Sequence, residues 1–205
     1  MRRILTALWM LALALPAPAD DVNCPSGSEA RGQSPPQGHR QWCEDDQQRQ
    51  HGLSVAWDAE GRRRVEAHFA HGAMHGAYRT WHENGQLAET GAYADDRREG
   101  TWEAWYPDGR RARSQEFRRG KQHGTAKEWY PNGQLRFEEQ YADGVRHGPA
   151  IAYYENGQKQ SEGAFDRGDF DGTWTGWYED GTTRKVAVFD RGAKTEEKLF
   201  PRGGE

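Results

Sequence analysis

His68, His71, His75 and His82 put four imidazoles within fifteen residues, the densest set of potential transition-metal ligands in the chain. His75, however, shares a periodic position with His51, His123 and His147, so a repeat accounts for it without a metal, and no carboxylate or cysteine completes a ligand set. The run His82-Glu83-Asn84-Gly85-Gln86 departs from the zinc-protease pattern at its last position and has turn chemistry where that motif needs a helix. Cys24 and Cys43 are the chain's two cysteines, and an even count suits a disulfide between them; His39 and His51 stand at unconvincing spacing for a shared zinc site. Glu138 and Glu139 could serve acid-base chemistry only if they shared a face, and neighbours on a strand point to opposite faces. With no nucleophile elbow, phosphate-cradling loop or dinucleotide fingerprint, the expectation is a protein without catalytic residues, metal or cofactor.

The elements that carry these residues follow from composition. Only 34% of the 205 residues are hydrophobic, and the mean hydropathy is −1.13, too polar for a conventional core. Nine Trp, eight Tyr and seven Phe argue equally against disorder. Arg2 and Arg3 precede an apolar run from Ile4 to Leu15 that closes on Ala17-Pro18-Ala19, the pattern of a cleavable signal peptide over residues 1–19. Its removal leaves 26 basic against 32 acidic side chains, a net of −6, which excludes a nucleic-acid footprint. Residues 20–50, with Pro25, Pro35 and Pro36 and few apolar side chains, read as an irregular segment stapled by the disulfide.

From His51 the sequence repeats every 24 residues, in six units that begin at 51, 75, 99, 123, 147 and 171 and end at 194, followed by a cap or tail over 195–205. Glycine recurs at the second and eleventh positions. The seventh is Trp57, Trp81, Trp105, Trp129, Tyr153 and Trp177, and the nineteenth is Phe69, Tyr93, Phe117, Tyr141, Phe165 and Phe189. Turns such as Tyr130-Pro131-Asn132-Gly133 divide each unit into two strands. A three-residue loop, a type I turn closed by left-handed Gly, sets Trp81 against Leu87 and Trp129 against Leu135. Strand alternation from there predicts the two aromatic columns on one face. The expected fold is all-β: an elongated single-layer antiparallel sheet of six tandem β-hairpins, twelve strands spanning roughly 55 Å. Terminal strands near Leu53 and Leu199-Phe200 would be unpaired edges.

Gly124 to Leu135, as Gly-x-x-x-x-Trp-Tyr-x-Asn-Gly-Gln-Leu, resembles the bacterial variant of the MORN repeat, whose members are often labelled YwqK-like antitoxins. The resemblance covers residues 51–194 and implies a repeat sheet with no catalytic residues, and its eukaryotic relatives are associated with membrane-apposed scaffolding and protein contacts. An export signal departs from a cytoplasmic antitoxin. The expected function is a periplasmic or secreted, non-enzymatic module that binds a protein partner, in an antitoxin-like or immunity-like role. The alternative is an envelope-associated binder of glycan or lipid headgroups, contacting membrane or cell wall. The face opposite the Trp column carries Tyr106, Tyr130, Tyr154 and Tyr178, flanked by Trp102 and Trp174, and these six are the candidate partner-binding residues.

Overall fold

The computed structural model describes residues 22–202; the candidate signal peptide lies outside them. Each unit contributes two strands. They are β3 (Gln50–Trp57) and β4 (Arg63–Ala70), β5 (Ala73–Trp81) and β6 (Leu87–Ala94), β7 (Arg97–Trp105) and β8 (Arg111–Arg118), β9 (Lys121–Trp129) and β10 (Leu135–Ala142), β11 (Val145–Tyr153) and β12 (Lys159–Asp166), β13 (Asp169–Trp177) and β14 (Thr183–Asp190). Two strands precede them, β1 (Ser28–Gln33) and β2 (Arg40–Asp45), and β15 (Ala193–Leu199) follows. All fifteen form one open antiparallel sheet in sequence order, and no helix occurs among the described residues. At about 4.8 Å per strand the sheet extends about 67 Å before twist.

Within the expected irregular segment 20–50, residues 28–45 are therefore not irregular. Arg31 pairs with Trp42 and Gln33 with Arg40 in a hairpin that continues the sheet, because strand edges offer backbone partners even to a polar sequence. Leu53 is accordingly not on an edge: β3 pairs with β2 on one side and β4 on the other. The edges are β1 and β15, and Leu199 on the latter is 68% exposed.

Two turn geometries alternate along the chain. Within a unit, Gly133 N–H donates to Tyr130 O and Tyr130 N–H to Gln134 O, the expected three-residue loop. Leu135 then faces Trp129, and Leu87 faces Trp81. Between units, two residues of positive φ such as Arg167 (49°) and Gly168 (95°) close a type I′ hairpin, with Asp166 opposite Asp169.

The face assignment of the aromatic columns needs correction. After Leu135 pairs with Trp129, Phe137 pairs with Glu128, so Arg136 at the fourteenth position is an inserted bulge residue. A single extra residue reverses the alternation. The Trp column and the Phe/Tyr column therefore lie on opposite faces, and Tyr141 pairs with Gly124 on the face that also carries the fourth position. That face holds Trp102 and Trp174 together with Tyr93, Phe117, Phe165 and Phe189. The Trp column on the other face is half-buried beyond Trp57, with Arg63 over Trp81 and Lys159 over Trp177.

Burial is shallow because a single layer has nothing behind it. One small core forms at the N-terminal end, where Val22, Cys43, Val55 and Trp57 pack with Cys24 and Leu53. Cys24 and Cys43 are joined by a disulfide, as their even count suggested.

Candidate functional site

The fourth-position tryptophans organise the aromatic face. Trp102 stands over Gly91 and Trp174 over Gly163, and a Cβ at either glycine would come within 2.3 Å and 2.2 Å of the indole. Each indole N–H donates to a neighbouring carbonyl, Trp102 to Ala92 O at 3.2 Å and Trp174 to Ala164 O at 2.9 Å. Around Trp102 the rings of Tyr78, Tyr93 and Phe117 close in, the Arg98 guanidinium lies 4.0 Å above it, and the residue is only 2% exposed. Trp102 is thus a buried centre and not a displayed anchor.

Trp174 is half-buried, and a cavity of about 540 Å³ surrounds it. Phe165, Phe170, Phe189 and Ala187 make its apolar wall, and Glu139, Ser161, Arg184 and Lys185 its polar rim. Phe170 is 42% exposed, packs edge-on against Trp174 at 4.8 Å and stacks on Phe189 at 5.0 Å. Phe165 is 7% exposed beneath them. Glu139 accepts hydrogen bonds from Tyr141 Oη–H at 2.9 Å and Arg146 Nε–H at 3.1 Å. Burial pushes the Tyr141 phenol above its ordinary range, which keeps it a neutral donor to that carboxylate.

The tyrosine column is built into the repeat. Tyr106 donates its hydroxyl to Trp129 O at 2.6 Å, Tyr130 to Tyr153 O at 2.9 Å, Tyr154 to Trp177 O at 2.9 Å and Tyr178 to Phe200 O at 3.2 Å. His82 holds the same position one unit earlier and reaches Trp105 O through Nε2 at 2.8 Å. Each ring ties its turn to the next unit and stays half-buried. Of the six candidate partner-binding residues, the structure gathers Trp174 alone into a cavity.

The four clustered histidines separate. His68 Nδ1 lies 3.1 Å from Ala77 O, His75 pairs with Asp95 at 3.2 Å, and His82 serves its turn. His71 instead meets His51, ring to ring at 4.5 Å, with Asp45 Oδ2 3.3 Å from His71 Nδ1. That carboxylate, twenty-six residues away in sequence, is what the linear reading lacked. The Arg49 guanidinium already lies 2.8 Å from Asp45 and 3.0 Å from His71, filling the place a cation would take. Its hydrogen bonds hold the Asp45 carboxyl well below the usual carboxylate range. Glu138 and Glu139 point to opposite faces as expected, Glu138 toward Lys127 at 3.2 Å and Glu139 toward Arg146.

Sequence reasoning passed over Phe170 and the seats of the two tryptophans. A signal for the seats was present, since Gly at the seventeenth position is followed eleven residues later by Trp in the pairs Gly91–Trp102 and Gly163–Trp174, whereas Gln115 and Glu139 are followed by Ala126 and Ala150.

Residues 74–95, 122–143 and 146–166 match the family model described as MORN repeat variant. Three of the six repeat units thus match the MORN repeat variant. Each match begins on the last residue of one 24-residue unit and runs through the hairpin of the next, so the matched segments coincide with the structural hairpins β5–β6, β9–β10 and β11–β12. MORN repeats mediate protein or membrane binding. No curated protein matches the chain. Among solved structures it is similar to one titled "Crystal structure of GtfA/B complex bound to UDP and GlcNAc", at 15% identity, with a TM-score of 0.24, over 70% of this chain and 26% of that one. The chain thus spans about a quarter of that relative, and a likeness this distant carries nothing about function.

Proposed function

We propose that this chain is a non-enzymatic interaction module of MORN type that works outside the cytoplasm and binds a protein partner, in an immunity-like or antitoxin-like role. The observation that carries the reading is the single-layer sheet itself. Aromatic side chains are left half-buried on both faces with no second layer to cover them, and aromatic anchors on a rigid sheet supply much of the energy at protein interfaces. The Cys24–Cys43 disulfide supports an oxidising compartment, periplasmic or extracellular.

The test is affinity capture with the tagged full chain, disulfide intact, against an envelope extract of the source cells. Enrichment of one protein that survives high salt supports the reading, and co-expression with that protein then tells whether the chain suppresses a toxicity. Retention in the glycan or lipid fraction with no protein partner overturns it in favour of envelope binding.

A further inference from the structure

The meeting of Asp45, His51 and His71 sets the first unit boundary apart from the others. At the boundaries that open on His75, His123 and His147, the imidazole meets one carboxylate, that of Asp95, Asp143 or Asp166. At the first boundary His71 takes the place of Asp95, and the carboxylate comes instead from β2, as Asp45. Among the described residues, these three are the one set of His, Cys, Asp or Glu side chains whose ligand atoms gather, all within 4.8 Å of one another.

The donors already converge on a cation. Asp45 Oδ1 accepts the backbone N–H of Gln47 at 3.0 Å and of Arg49 at 2.9 Å, which fixes the carboxylate with Oδ2 toward His71. Arg49 Nη2 lies 2.8 Å from that Oδ2 and 3.0 Å from His71 Nδ1. A guanidinium only donates, so His71 Nδ1 is an acceptor, and two lone pairs meet on one cationic nitrogen. Two ligands bound to zinc at about 2.0–2.1 Å in a tetrahedron stand about 3.3 Å apart. Asp45 Oδ2 and His71 Nδ1 are 3.3 Å apart. His51 lies against His71, with ring centroids 4.5 Å apart, and brings the third donor.

We infer that Asp45, His51 and His71 bind a zinc ion, which displaces the Arg49 guanidinium and holds a water in its fourth position. Arg49 stands in for the metal. Its side chain is 39% exposed, so it turns out to solvent without stranding a buried charge. The ion joins β2, β3 and the turn between β4 and β5, pinning the N-terminal hairpin to the first repeat unit. This site needs no protein partner and stands apart from the module reading.

Zinc chloride titrated into the untagged full chain, disulfide intact, in competition with a chromophoric chelator reads the affinity. One zinc per chain is expected. His71→Asn and His51→Asn should each weaken binding at least tenfold. Asn tolerates the φ of 49° at position 71 and accepts the His71 N–H from position 51, so both variants should keep a cooperative melt. Arg49→Gln removes the competing cation and should bind at least tenfold tighter, while His75→Asn should bind as the wild type does. Zinc should also slow hydrogen exchange in β1 and β2 of the wild type and not of His71→Asn. Unchanged affinity in either variant of His51 or His71 overturns the site, as does an equal loss in His75→Asn. Binding by Arg49→Gln no tighter than by the wild type overturns the exchange of cations. Absence of saturable binding by both proteins overturns the inference outright.

Discussion

Asp180 shows how one side chain in a turn carries pH dependence into the fold. It accepts from Thr182 N–H at 2.9 Å and Thr182 Oγ1–H at 2.6 Å on one oxygen and from Arg202 Nε–H at 3.1 Å on the other. The Thr182 bonds chiefly, then Arg202, hold its carboxyl down from 3.8 to about 2. A depressed folded-state value means the unfolded chain takes up the proton first, so this contribution is complete above about pH 4 and fades as pH falls toward 2. Asn occupies the matching place in the turns at Asn132 and Asn156, where it accepts from the N–H two residues on. Asp180→Asn is therefore expected to keep the fold and to flatten the acid limb of stability between pH 4 and 2, measured by chemical denaturation at each pH. Gly163 makes a steric prediction instead. A Cβ there would sit 2.2 Å from the Trp174 ring, and overpacking of that kind typically costs about 1–3 kcal/mol. Gly163→Ala should show that loss in urea unfolding together with a displaced Trp174 indole resonance.

At the scale of the hairpin, the two turns impose different demands. The turn that closes each unit needs two consecutive residues of positive φ, and five of these six turns, the last of which leads into β15, place an Asp, Arg or His first and Gly second. Arg167 is exposed and holds φ at 49°. Asn tolerates that conformation best among non-glycine residues, so Arg167→Asn, which creates an Asn-Gly turn, should stabilise the sheet by about 0.5 kcal/mol. The turn within the unit is tied by the tyrosine hydroxyl to the next unit. Tyr130→Phe removes that bond and keeps the ring, and a loss of about 1 kcal/mol in denaturant melts is expected. The hairpins and the loop that pairs position seven with thirteen were legible, because Pro-Asn-Gly chemistry and strict periodicity are local properties. The bulge at position fourteen was not: Arg136 carries no glycine or proline to announce an inserted residue, and only its pairing across the strand shows that the faces exchange there.

For the whole molecule, an open sheet is only as stable as its ends. β15 pairs with β14 alone and all seven of its residues are exposed, whereas β1 is nearly as exposed but neighbours the core made by Val22, Cys43, Val55 and Trp57. Hydrogen exchange should therefore be fastest in β15 and slower from β2 inward. The disulfide spans 19 residues, a closure that constrains the unfolded chain by about 3 kcal/mol in the loop-entropy account. Reduction, or a Cys24→Ser, Cys43→Ser pair, should bring exchange in β1 and β2 up to the level of β15 while the central units stay protected. Loss of protection across the entire sheet would instead mean that the fold is a single cooperative unit.

The sequence by itself determined the architecture: the 24-residue period, the glycine columns and the turn residues leave an antiparallel meander as the arrangement that pairs every repeat strand with its neighbours in sequence. It also contained the disulfide and the aromatic columns. Tertiary structure alone decided which columns share a face, because one unmarked bulge residue reverses alternation. It also decided that residues 28–45 join the sheet, since a polar strand is recruited by a neighbouring edge and not by its own side chains. The meeting of Asp45, His51 and His71, with Arg49 in the cation's place, depends on strands that lie side by side but far apart in sequence. The cavity at Trp174 arises in the same way, from Ser161 and Phe165 on β12, Phe170 on β13 and Ala187 and Phe189 on β14, which line one space only once the strands are adjacent.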